Sequence, residues 1–105
     1  VFCSGAKGEK SPLAEDEFEK NAKTKAEIVK ALNDSFTYCN AAYDALTDAR
    51  AAETITMPFG MGQGVRAAPL MANTGHLQEH YGNLVTYFRI KGMVPPSTRR
   101  EQQGR

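Results

Sequence analysis

The stretch TKAEIVKALNDSFTYCNAAYDAL, residues 24–46, reads as one amphipathic helix with a marked start. Thr24 and Glu27 stand three apart and fit a capping box. The threonine oxygen accepts from a free backbone N–H of the first turn, and the glutamate reaches back to the N–H of the cap residue. Val29, Leu32, Phe36, Cys39, Tyr43 and Leu46 then recur in alternating steps of three and four, which draws one apolar stripe along a helix. The pattern predicts a helix from about Thr24 to about Ala49.

Downstream, ETITMPFGMGQGV (53–65) changes character. Thr54, Ile55 and Thr56 suit an extended segment, and Pro58 with Gly60, Gly62 and Gly64 makes a loop. A second helix is expected from about Arg66 to Lys91. Pro69 is tolerable there only in the first turn. Gly92 is placed as a C-cap, and Pro95-Pro96 prevent continuation. Leu70, Leu77, Leu84 and Phe88 form its apolar side.

Upstream, SGAKGEK (4–10) reads as a helix end or loop, and Ser11-Pro12 can start a helical turn. The opening VFCS is apolar, as in the middle of an element, so the chain is expected to be part of a longer protein. Residues 1–97 are assigned to one N-terminally incomplete helical domain, and 98–105 to a disordered tail with no apolar residue. Two long amphipathic helices leave apolar surface uncovered, so partner helices or a second chain are expected over the stripes.

The chain has 105 residues and a net charge of +1, with 24% charged and 41% hydrophobic residues. That balance gives no basic footprint for nucleic acid. No apolar run approaches the roughly 18 residues of a membrane span. Cys3 and Cys39 do not have the spacing of a zinc knuckle or redox pair; a disulfide between them is the alternative, while free thiols, a core role for Cys39 and a cytoplasmic location are expected.

The chemistry concentrates in NTGHLQEHYGNLVTYF (73–88), which holds both histidines. His76 and His80 are one turn apart, turned by about 40° and displaced by about 6 Å, so both imidazoles can approach one ion. The alternative is an inert, partly buried pair. HLQEH also matches the inverted zinc-protease pattern, with Glu79 as the base that activates a metal-bound water. Such a site needs a further downstream ligand, and only Glu101 follows among acidic residues. Asn73, Asn83 and Tyr87 share the histidine stripe and could bond a ligand or the outer ring nitrogens. The stripe is expected to face the interior of a bundle or a cleft in it. Gly82 is expected to mark a close helix approach. The Gly60–Gly64 loop lacks the lysine of a P-loop and reads as a plain turn.

Gly75–Ser97, GHLQEHYGNLVTYFRIKGMVPPS, resembles the closing helix of the DinB-like family. Thr24–Leu46 is similar to that family's third helix. The resemblance implies an up-down four-helix bundle, represented here by its C-terminal helices. It also implies a divalent ion, zinc or nickel, held by three histidines. Two match His76 and His80; the third would lie upstream of Val1 or is absent. The function so implied is a metal-dependent transferase using a low-molecular-weight thiol; the uncovered stripes suit a non-catalytic bundle that dimerises, with a homodimer expected, and the HLQEH pattern suits a metallohydrolase using Glu79.

Overall fold

A computed structural model describes residues 1–14 and 16–104. Among these, the chain is mostly helical, with one short hairpin. In chain order the elements are α1 (Phe2–Lys7), α2 (Glu17–Asn21), α3 (Lys25–Asp44), α4 (Asp48–Ala51), β1 (Thr54–Thr56), β2 (Gln63–Val65), α5 (Ala67–Ile90) and α6 (Pro96–Gln103). They fall into two compact units, Val1–Asn73 and Thr74–Arg105. No helix of the described residues is long and apolar enough to cross a membrane.

The first unit is organised on α3. Its capping box forms as the sequence predicts: the Glu27 N–H donates to Thr24 Oγ1 at 3.2 Å, and Glu27 Oε2 accepts from the Thr24 N–H at 2.8 Å and the Lys23 N–H at 2.9 Å. The Thr24 backbone bond, then its hydroxyl and the Lys23 N–H, hold the Glu27 carboxyl below its ordinary range. The helix ends at Asp44 rather than near Ala49. Thr47 adopts an extended backbone and its side chain accepts from the Arg50 N–H at 3.3 Å, which starts α4 afresh. Arg50 Nη1 donates to the Ala45 carbonyl at 3.0 Å and so satisfies the end of α3.

α1 packs on α3. Gly8, at φ 76, closes α1 in the left-handed region, where glycine bears no Cβ clash. The expectation of free thiols is corrected: Cys3 and Cys39 form a disulfide, with Cα atoms 5.3 Å apart. The packing of α1 on the C-terminal half of α3 brings the two residues within bonding range. The bond closes a loop long enough to stabilise the unit by about 4 kcal/mol through the unfolded state. Cys3, Ala6, Ala42 and Leu70 are the buried core, with Tyr38, Cys39 and Leu46 against it. Cys39 is thus a core residue, as predicted, but not as a thiol.

The 53–65 segment forms an antiparallel hairpin, in register Thr54↔Val65, Ile55↔Gly64 and Thr56↔Gln63. Arg66 locks its base. Its Nε and Nη2 reach Glu53 Oε2 at 2.9 and 2.8 Å, its N–H donates to the Glu53 carbonyl at 2.9 Å, and Nη1 donates to the Ala6 carbonyl of α1 at 2.6 Å. A Cβ on Gly64 would lie 2.7 Å from Met57 Sδ, so glycine fits the close approach of loop and strand. Ser11-Pro12 starts no helix; the next turn begins at Glu17.

In α5, Pro69 sits in the first turn and is fully buried, where its missing N–H costs no helical bond. The second unit holds α5 from Thr74 onward. Gly92 takes φ 68, and the Met93 N–H donates back to the Phe88 carbonyl at 2.9 Å, closing the helix as predicted. The segment expected to be a disordered tail instead carries α6. Pro96 presets its first position, and the Tyr81 hydroxyl oxygen accepts from the Ser97 N–H at 3.1 Å, the role a capping side chain plays. Hydrogen bonding with the Ser97 side chain, then that backbone bond, with smaller contributions from Arg100 and Arg89, holds the Tyr81 phenol below its ordinary range. Arg105, the last residue of that segment, lies outside the described residues.

The apolar stripes are only partly covered. Leu70 is buried, but Val29, Leu32, Phe36, Leu77 and Leu84 are each about half exposed, at 47%, 53%, 46%, 45% and 54%.

Replacing Thr24 by alanine is expected to destabilise the first unit by about 1 kcal/mol in urea unfolding. Glu27 has a depressed folded-state pKa, so its stabilisation is present above the ordinary carboxyl range and is lost as pH falls through the depressed value. Acid titration of α3 helicity should therefore shift in Glu27→Ala. An unchanged acid limb in that variant would contradict the assignment.

Candidate metal centre

α5 places His76 and His80 one turn apart, and their side chains meet. The two Nε2 atoms are 2.9 Å apart, and the rings lie edge to face with centroids 4.4 Å apart and planes at 79°. As a hydrogen bond, this contact needs one Nε2–H donor and one bare Nε2 acceptor. As a chelate, it needs both Nε2 atoms bare, with the protons on Nδ1. Two imidazoles at about 2.1 Å from one ion have their nitrogens roughly 3.0 Å apart at a right angle and about 3.4 Å apart in a tetrahedral site. The observed separation therefore matches the right-angled edge more closely.

The pair is exposed rather than turned into an interior. Within this chain nothing among the described residues covers that face, and the neighbouring Leu77 and Leu84 are themselves half exposed. Glu79 and Asn83 are exposed, and Tyr87 is 66% exposed. Asn73 is engaged elsewhere: it lies in the first unit, half-buried, and its Nδ2 donates to the Tyr43 hydroxyl at 3.3 Å. That hydroxyl in turn donates to the Leu70 carbonyl at 2.9 Å. Asn73 thus serves the packing of α3 against the start of α5. Among the described residues Gly82 has no atom within 4 Å of a would-be Cβ, so no close helix approach among them explains it.

Among the described residues no three His, Cys, Asp or Glu side chains are grouped to hold an ion. The chain has two histidines, so the third ligand of a facial set is not supplied by a histidine of this sequence. What the arrangement offers is a bidentate, solvent-facing pair that leaves most coordination positions to other ligands.

Two structurally central residues were not singled out from sequence. Arg66 could have been found: Glu53 and Arg66 flank the two strand segments symmetrically, as opposite charges at a hairpin base do. Tyr81 gives no such signal, since its partner Ser97 lies beyond the Gly92 turn.

No family model, no curated protein and no solved structure matches this chain.

The Tyr43 link is open to test. Tyr43→Phe removes one donor and one acceptor and is expected to cost about 1 kcal/mol of stability, read by chemical denaturation. The histidine contact, followed by imidazole NMR signals, should be unchanged. Movement of those signals would show that the histidines depend on the Asn73 anchor.

Proposed function

We propose that this chain is the metal-holding helical portion of a DinB-like four-helix bundle, and that Nε2 of His76 and Nε2 of His80 bind one divalent ion, zinc or nickel. The observation that carries this reading is the convergence of the two Nε2 atoms to 2.9 Å on one helical turn. That separation is close to the bite of a right-angled imidazole pair. A bound ion would supply Lewis acidity, able to polarise a substrate oxygen or favour a thiolate. The chain's own part is to present two neutral imidazoles at fixed spacing and to leave the remaining positions accessible. The transferase reading, with a small thiol as co-substrate, rests on the resemblance alone. Glu79 lies on the same exposed turn, and nothing in its surroundings marks it as a base.

The test is calorimetric titration with zinc or nickel. One site is expected, with His76→Ala and His80→Ala each binding at least about tenfold more weakly, since a chelate becomes a single ligand. Helicity by circular dichroism should be retained. Uptake should fall as pH is lowered, because only neutral imidazole ligates. A wild type that takes up neither ion, or variants that bind equally well, would remove the reading. Thiol consumption by the metal-loaded protein then tests the transferase step.

A second reading, a non-catalytic bundle that forms a homodimer, is supported by the half-exposed Val29, Leu32 and Phe36 stripe. It predicts concentration-dependent association in sedimentation velocity, abolished by Leu32→Glu with Phe36→Glu. A monomer at all concentrations would exclude it. The expected cytoplasmic location rested on free thiols; the Cys3–Cys39 bond supports an oxidising compartment instead.

A further inference from the structure

The disulfide also forms part of a cavity wall. A cavity of about 590 Å³ in the first unit is lined by Phe2, Leu13, Phe18 and Tyr38, together with Cys3 and Cys39 themselves. Cys3 is 3% exposed, whereas Cys39 is half-buried. The bond is thus buried on the α1 side and less so on the α3 side, at the wall of a space large enough for a small molecule.

α1 has only six residues, fewer than an isolated helix needs to persist in water. Its position is therefore set by its attachments. Besides the disulfide and the burial of Ser4 and Ala6 against the core, these include the Arg66 bond to the Ala6 carbonyl, the Tyr38 hydroxyl donating to Glu9 at 2.9 Å, Lys7 paired with Glu9 and lying 4.2 Å from the Tyr38 ring centroid, and Phe2 edge-on to Phe59 at 5.2 Å. The Glu9 and Lys7 contacts are exposed and contribute little each. The covalent bond is the one attachment that changes state chemically. From this we infer that Cys3–Cys39 is a redox latch: oxidised, it holds α1 on α3 and completes the cavity; reduced, it releases α1 and opens that wall. The rest of the chain stays folded. The inference does not involve the histidines and stands apart from the metal reading.

The chemistry balances with a dithiol as reductant. One thiolate of the dithiol attacks Cys39 Sγ, the sulfur on the more exposed residue, and the S–S bond breaks with Cys3 leaving as thiolate. The second thiolate of the reagent attacks the mixed disulfide and frees Cys39. The protein gains two electrons and two protons, and the dithiol becomes a cyclic disulfide.

The experiment compares the full chain as purified, the same chain with excess dithiothreitol, and the Cys3→Ser, Cys39→Ser double variant. Thiols are titrated in denaturant, and amide hydrogen exchange is followed residue by residue. The reporters are Gly5, Gly8 and Glu9, whose N–H groups donate to the Val1, Gly5 and Ser4 carbonyls, and Met93, whose N–H closes α5 in the second unit. Expected are no thiols before reduction and two after it. Exchange at Gly5, Gly8 and Glu9 should become at least about tenfold faster, with Met93 unchanged. The double variant should match the reduced protein with or without dithiothreitol. Three results would overturn the latch: two free thiols that resist oxidation, equal exchange of α1 in both states, or loss of protection throughout the chain, which would make the bond a general staple.

Discussion

A six-residue helix stays in place only if something else holds it, and the first unit is built around holding α1. At one end Cys39 ties Cys3 to α3; at the other, Arg66 donates to the Ala6 carbonyl while gripping Glu53. The guanidinium therefore joins three segments: α1, the base of the hairpin and the entry to α5. Its planar fork suits the task, since it can serve a carboxylate and a carbonyl at once. Between these ties, Gly5 allows Pro58 to approach, with a would-be Cβ 3.2 Å from Pro58 Cδ. Phe59 sits at φ 59, a region costly for a bulky residue, with its ring against Phe2. The loop that looked like a plain turn is shaped by its contact with α1.

Local signals in the sequence carried through where the physics is local. The Thr24–Glu27 box, Pro69 in a first turn, Gly92 in the left-handed region and the extended Thr54–Thr56 segment each depend on a few neighbouring residues. They stand where the sequence places them. Signals that compete are harder to read. Leu46 continues the apolar count of α3, but Thr47-Asp48 offers a new cap, and the cap wins. α6 has no apolar period, so nothing distinguished its polar residues from a tail; its start is fixed by Pro96 and by a tyrosine in another helix. The disulfide was illegible because pairing Cys3 with Cys39 requires the register of α1 on α3, which no short-range pattern encodes.

The candidate site divides the same way. That His76 and His80 converge follows from helical geometry alone. That they are exposed does not, because burial is a property of what lies over a face. Val29, Leu32, Phe36, Leu77 and Leu84 make the same point. Their spacing announces a core, yet the core that forms gathers at the C-terminal end of α3 and the first turns of α5, around small residues and a disulfide.

Gly75 and Gly82 stand just outside the two histidines, and neither has any neighbour within 4 Å of a would-be Cβ. Each costs a helix about 1 kcal/mol relative to alanine. The histidine turn is thus framed by the two weakest links of α5 beyond its first turn. An ion bridging His76 and His80 would act as a clip across one turn of a helix that is otherwise easy to fray there. Ligand affinity and local helix order would then be one coupled quantity: whatever stiffened this turn from outside would tighten the grip on such an ion, and the ion in turn would stiffen the helix.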